Sequence, residues 1–173
     1  RPPRSTLFPY TTLFRSLDGI EGLVGGAGND TLTGDANANI LNGGTGGADV
    51  IAGGAGFDTI SFADRSTGLV VAFGATAGSG TELQSGTSFS GIEAVLGGAG
   101  GDVITGGAAA ELLNGGGGSD TLDGDAGNDT LIGGAGNDEL VGGDGFDVAS
   151  FAGAPGGVNA NLASGTATGW GSD

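Results

Sequence analysis

Carboxylates carry the chemistry open to this chain. Its 173 residues include 20 Asp or Glu against four Lys or Arg, and no His, Cys or Met. Without His there is no ordinary general base, no Ser-His or Cys-His pair and no HExxH zinc site. The four basic residues are all Arg, which excludes a P-loop and a Schiff-base lysine, and the lack of Cys excludes disulfides and thiolate metal sites. A formal charge of −16 speaks against nucleic acid and anionic membranes as partners. No apolar run approaches the ~20 residues of a membrane span. What remains is hard-oxygen chemistry, from acids that recur in phase: Asp30, Asp49, Asp58, Asp102, Asp120, Asp129, Asp138 and Asp147. Calcium takes about six to eight such oxygens from carboxylates and backbone carbonyls, whereas magnesium asks for a tighter octahedron. Soft metals have no ligand here. Paired carboxylates can hydrolyse glycosides, but acids at identical places in successive turns fit ion binding, so no active site is expected in this chain.

The elements that place these acids follow from a nine-residue period. The first block reads GGAGNDTLT (25–33), GDANANILN (34–42), GGTGGADVIA (43–52, one residue longer) and GGAGFDTIS (53–61). The second reads GGAGGDVIT (97–105), GGAAAELLN (106–114), GGGGSDTLD (115–123), GDAGNDTLI (124–132), GGAGNDELV (133–141) and GGDGFDVAS (142–150). Gly falls at places one, two and four, an acid at six and an aliphatic residue at eight. Gly accepts positive φ without steric cost, so the first six residues predict a tight turn and the last three a very short strand. The inward column is then Leu32, Leu41, Ile51, Ile60, Ile104, Leu113, Leu122, Leu131, Leu140 and Ala149. Asn39 and Glu111 stand at place six in two copies, which predicts weaker ion sites there. Asp125 and Asp144 are read as solvated turn acids.

A longer period overlies the short one. GIEGLVGG (19–26) recurs as GIEAVLGG (91–98), and FDTISFA (57–63) as FDVASFA (146–152). After each FDxxSFA comes an alternating stretch, GLVVAF (68–73) or GVNANL (157–162). This aligns Leu69, Val71 and Phe73 with Val158, Ala160 and Leu162, and predicts wider solenoid coils or caps. Phe57, Phe62, Phe146 and Phe151 are expected to cap the core, and Trp170 to sit in an apolar coil.

Residues 6–16, TLFPYTTLFRS, share nothing with the rest of the chain. They match the direct translation of a common sequencing-library adapter through eleven consecutive codons. Residues 1–16 are therefore set apart as an artefactual or disordered leader, which leaves Arg65 as the only base among the acids of 17–173. The organisation expected is a first repeat block over 17–61, a connecting β-solenoid segment over 62–96, a second block over 97–150, and the start of a truncated connecting segment over 151–173.

The nonapeptide GGAGNDTLT and its neighbours resemble the RTX, or haemolysin-type, calcium-binding repeat, pattern GGxGxDxUx, over roughly residues 17–173. The resemblance implies an all-β fold, a right-handed parallel β-roll with two nonapeptides per coil, and several Ca²⁺ ions held between the turns of repeats i and i+2. The ligands it implies are the eight place-six Asp residues named above together with turn carbonyls, among them Gly115, Gly116, Gly118, Gly124, Gly127, Gly133, Gly134 and Gly136. The pairings are Asp102 with Asp120, Glu111 with Asp129, Asp120 with Asp138, Asp129 with Asp147, Asp30 with Asp49, and Asn39 with Asp58. One buried aliphatic side chain per nine residues is little return for ordering nine backbones, and stacked carboxylates repel. A chain disordered without Ca²⁺ and folded with it is therefore expected.

The resemblance further implies a module of a larger secreted, extracellular or cell-surface protein. Its effector domain, a toxin, protease or lipase, would lie outside this chain, and a type I secretion machinery would be its partner. The alternative is a structural or adhesive repeat of a large bacterial surface protein.

Overall fold

The structure is a computed structural model that describes residues 19–153, 159–162 and 166–168. The leader, Val158 and Trp170 lie outside the described residues. Every regular element described is a strand. The first block supplies β1 (Gly22–Val24), β2 (Thr31–Thr33), β3 (Ile40–Asn42), β4 (Val50–Ala52) and β5 (Thr59–Ser61). After them come β6 (Val70–Phe73), β7 (Gly80–Glu82), β8 (Thr87–Ser90) and β9 (Ala94–Leu96). The second block supplies β10 (Val103–Thr105), β11 (Leu112–Gly117), β12 (Thr121–Asp123), β13 (Thr130–Ala135), β14 (Glu139–Val141) and β15 (Val148–Ala149).

Within the two blocks successive strands alternate between two sheets. The first sheet has the order β1-β3-β5-β9-β11-β13-β15, the second β14-β12-β10-β6-β7-β8-β4-β2. Within the blocks every pairing is parallel, and place eight always faces place eight: Leu113 pairs with Leu131, Ile104 with Leu122 and Leu32 with Ile51. A coil is therefore two nonapeptides, and the stack is a parallel β-solenoid of about seven turns. Turns 25–30, 43–49, 97–102, 115–120 and 133–138 carry the chain from the first sheet to the second and form one edge. Turns 34–39, 53–58, 106–111, 124–129 and 142–147 return it and form the other.

The place-eight side chains meet between the sheets. Leu41, Ile51, Ile60, Ile104, Leu113, Leu122 and Leu131 are buried, while Leu32 and Leu140 pack against them from the outer coils. Ala149, in the last strand of the first sheet, is exposed. Because each coil contributes only two inward residues, one truncation opens a gap that nothing nearby can fill. Replacing Leu113 by Ala should cost about 2–5 kcal/mol in denaturant melts of the calcium-saturated chain. A cost under about 1 kcal/mol would show that this column is not the core.

Between the blocks the pattern changes. The strands β6, β7 and β8 form an antiparallel meander, with Val71 opposite Glu82 and Glu82 opposite Thr87, before β9 resumes parallel pairing with β5 and β11. Larger side chains fill the interior here: Phe62, Leu69, Phe73, Phe89 and Ile92 are buried, and the Phe73 and Phe89 rings meet edge to face with centroids 5.1 Å apart. Glu82 is fully buried. Its carboxylate accepts the N–H groups of Gln84 (2.6 Å) and Ser85 (2.9 Å) and the Ser85 hydroxyl, and so closes the β7–β8 turn.

Two expectations about apolar residues do not hold. Of the expected caps only Phe62 is buried; Phe57 and Phe146 are 51% and 76% exposed. Both sit at place five of a turn, where the side chain points away from the stack. Ala160 and Leu162 are exposed as well, although Val71 and Phe73 at the matching places are buried. Val71 and Phe73 belong to the buried cluster between the two sheets. The strand at Asn159–Asn161, β16, pairs only with β17 (Thr166–Thr168), antiparallel, among the described residues.

Candidate metal centre

The turns hold the acids in two rows, one along each edge. On the first edge the Asp30 N–H donates to Asp49 Oδ1 (2.9 Å), Asp102 N–H to Asp120 Oδ1 (2.7 Å) and Asp120 N–H to Asp138 Oδ1 (3.0 Å). On the second edge Asn39 N–H donates to Asp58 Oδ1, Glu111 N–H to Asp129 Oδ1 (both 2.8 Å) and Asp129 N–H to Asp147 Oδ1 (3.0 Å). The six pairs expected from the repeat are thus brought together, each by one carboxylate oxygen.

The second oxygen turns back into its own turn. Asp30 Oδ2 accepts the Gly26 N–H (2.7 Å), and Asp102 Oδ2 the Gly98 N–H (2.8 Å). Asp58, Asp102, Asp120 and Asp129 are almost wholly buried, and so is Glu111. Buried charged groups are normally paired or fully hydrogen-bonded. Yet Asp58 Oδ2, Glu111 Oε1, Asp120 Oδ2 and Asp129 Oδ2 are buried with no hydrogen-bond partner.

Carbonyl oxygens come to the same places. A β-carbon at Gly115 would collide with Asp120 Oδ2 and the Gly133 carbonyl oxygen, and one at Gly124 with Asp129 Oδ2 and the Gly142 carbonyl oxygen. Place one therefore has to be Gly, because two acceptor oxygens from successive coils converge on it. Gly118 has φ +123° and lies against the Gly100 carbonyl of the coil before; an L side chain there would be strained whatever the space. Among the described residues no three acidic side chains gather at one point. An ion held here would draw on carbonyls as well as on one or two carboxylates, and an all-oxygen set of this kind suits calcium. The geometry places Gly115, Gly116, Gly118, Gly124, Gly127, Gly133, Gly134 and Gly136 in the turns beside Asp120, Asp129 and Asp138. Asp138 and Asp147, in the outermost turns, are only partly buried.

Burial also sets the proton affinities. It raises Asp102, Glu111 and Asp129 above the usual carboxylate range, with the charges of Asp125 and Asp129 adding at Glu111 and those of Asp125 and Asp147 at Asp129. Asp120 is pushed up to about 6, first by burial and then by the charges of Asp102 and Asp138. A folded-state pKa above the unfolded 3.8 means that the folded chain binds protons more tightly, so it loses stability as pH rises from about 4 through about 6. In calcium-free buffer, strand content should accordingly be higher at pH 4.5 than at pH 7. With calcium present the order should reverse, because protons compete for the same oxygens. Circular dichroism at the two pH values checks both signs; a calcium-free spectrum that gains no strand signal on acidification would contradict the assignment.

Two ligand-position residues escape a search for the full nonapeptide. The Glu21 carbonyl accepts Ile40 N–H (2.8 Å) and the Glu93 carbonyl accepts Leu112 N–H (2.9 Å), just as Asp102 O accepts Thr121 N–H (2.8 Å). Both glutamates belong to the GIE motif and stand nine residues before Asp30 and Asp102. They are place six of a coil whose Gly-rich half is missing, and the nine-residue phase is the signal that finds them.

The first edge is interrupted between the blocks. Asp49 N–H donates to the Thr87 hydroxyl (3.2 Å), Leu69 N–H to Asp102 Oδ1 (2.9 Å), and Val103 N–H to the Leu69 carbonyl. Thr87 and Leu69 hold places that acids hold elsewhere. In this gap the Arg65 guanidinium donates to the Gly44 carbonyl (3.1 Å), while the Arg65 carbonyl accepts Ala99 N–H (2.9 Å). The one base of residues 17–173 thus sits where the two blocks meet.

The profile of the RTX calcium-binding nonapeptide repeat matches the chain in four copies, over residues 17–47, 44–61, 87–122 and 114–149. Comparison with curated proteins finds no match.

Proposed function

This chain belongs to the RTX calcium-binding nonapeptide repeat family, and from that premise we propose that it is a folding module of a larger exported protein, switched by the calcium of the medium. Its repeats are calcium-binding repeats, and a repeat-only β-solenoid fits a non-catalytic part. The observation that carries the reading is the set of buried carboxylate oxygens without donors at Asp58, Glu111, Asp120 and Asp129. We assign the ions to Asp30, Asp49, Asp58, Asp102, Asp120, Asp129, Asp138 and Asp147 with the turn carbonyls around them. In calcium-poor cytosol the chain stays unfolded, which suits passage through a type I secretion channel; outside the cell calcium folds it. Blocks 17–61 and 97–150 are the loading units, joined by 62–96. No helix among the described residues is long and apolar enough to cross a membrane.

Equilibrium dialysis against calcium tests this reading. Half-saturation is expected in the ~10⁻⁴–10⁻³ M range of extracellular modules. Submicromolar half-saturation would fold the chain before export and overturn it. A structural or adhesive role in a large bacterial surface protein is favoured by one observation, the recurrence of GIE and FDxxSFA as a unit larger than the nonapeptide. Flanking sequence separates the two: an upstream catalytic domain supports the module, dozens of further units the surface repeat.

A further inference from the structure

We propose that the connecting segment completes a calcium site of its own, formed by Asp58, Glu93 and the Gly91 carbonyl, which ties the two blocks together along the second edge. The inference rests on the calcium reading above and goes beyond it, because Glu93 belongs to no complete nonapeptide.

Four observations carry it. First, Asp58 N–H donates to Glu93 Oε2 (2.8 Å), the same link that joins Glu111 to Asp129 and Asp129 to Asp147. The step spans 35 residues rather than 18 only because the meander is looped out between. Second, Ala94 N–H donates to the Asp58 carbonyl (2.9 Å) and Leu112 N–H to the Glu93 carbonyl, so Glu93 occupies a full rung of the solenoid. Third, Asp58 is 0% exposed and its Oδ2 has no hydrogen-bond partner. A β-carbon at Gly53 would collide with the Gly91 carbonyl oxygen and lie 2.6 Å from Asp58 Oδ2, the convergence seen at Gly115 and Gly124. Fourth, the next acid along the row, Glu111, also has a buried oxygen without a donor.

Asp58, Glu93 and Glu111 thus follow one another along an edge with no base beside them. Arg65, which could neutralise them, is turned to the Gly44 carbonyl on the opposite edge. The junction is therefore held by a guanidinium on one side and by an ion on the other. Hard oxygens from two carboxylates and a carbonyl again select calcium over softer metals.

The test counts bound calcium per chain by equilibrium dialysis at saturation, with circular dichroism as the check on folding. Glu93→Gln keeps an oxygen for Asp58 N–H but removes the charge; Gly53→Ala places a methyl between Asp58 Oδ2 and the Gly91 carbonyl without touching an acid. Each is expected to bind one ion fewer than wild type and to split a single calcium transition into two, one per block. Asp64→Asn, at an exposed acid on the first edge bonded only to Asn42, should keep the wild-type count and serves as the control. If both variants keep the wild-type count and a single transition, the junction site is wrong. If wild type itself binds no calcium, the folding-module reading fails instead.

Discussion

Stripped of calcium at pH 7, the chain should show a far-UV spectrum without strand character, and millimolar calcium should convert it to a β-rich spectrum. Each edge is a row of like charges: Asp102, Asp120 and Asp138 on one, Glu111, Asp129 and Asp147 on the other, each later carboxylate accepting the backbone N–H of the acid before it. Several are buried, so water screens them poorly. Against this stand two inward aliphatic side chains per coil. Ions that bind only the folded turns shift the balance by mass action, and more so with every site filled. A strand signal that survives complete chelation would show that the apolar column suffices alone.

The second large effect is expected from Asp120→Asn. Asp120 lies in the middle of its row, taking the N–H of Asp102 and giving its own to Asp138; its Oδ2 is one of the oxygens without a donor. The amide keeps a carbonyl for Asp102 N–H while removing the charge, so ion binding is lost on both sides. Losing even a group that only orients a ligand costs roughly 10- to 100-fold in metal affinity, and a ligand at the centre of a row should cost at least that. Asp138→Asn, at the partly exposed end of the same row, should raise the calcium midpoint far less. Equal midpoints for the two variants would rule out cooperative loading along the edge.

The period of nine made the fold legible. The Leu and Ile at place eight are the core, and their partners lie two repeats on, as the pairing of Leu113 with Leu131 shows. The connecting segment was not legible in the same way. GLVVAF alternates like any half-buried strand, and nothing in it says that its neighbour β7 runs antiparallel. Place six there is taken by Leu69 and Thr87, which carry no acid to keep the phase visible. Glu21 and Glu93 keep the phase but lack the glycines that mark a turn. Phe57 and Phe146 misled for the opposite reason: an aromatic residue reads as core, but place five lies outside the stack whatever occupies it.

The unequal strand content of the two sheets has a consequence for shape. Between the coil of β3 and β4 and the coil of β9 and β10, the first sheet adds only β5, whereas the second adds β8, β7 and β6. At about 4.8 Å per strand the second sheet is wider by roughly 10 Å, comparable to the spacing of stacked sheets. The meander is thus a wedge set into the second sheet where the blocks meet, with no counterpart of equal width in the first.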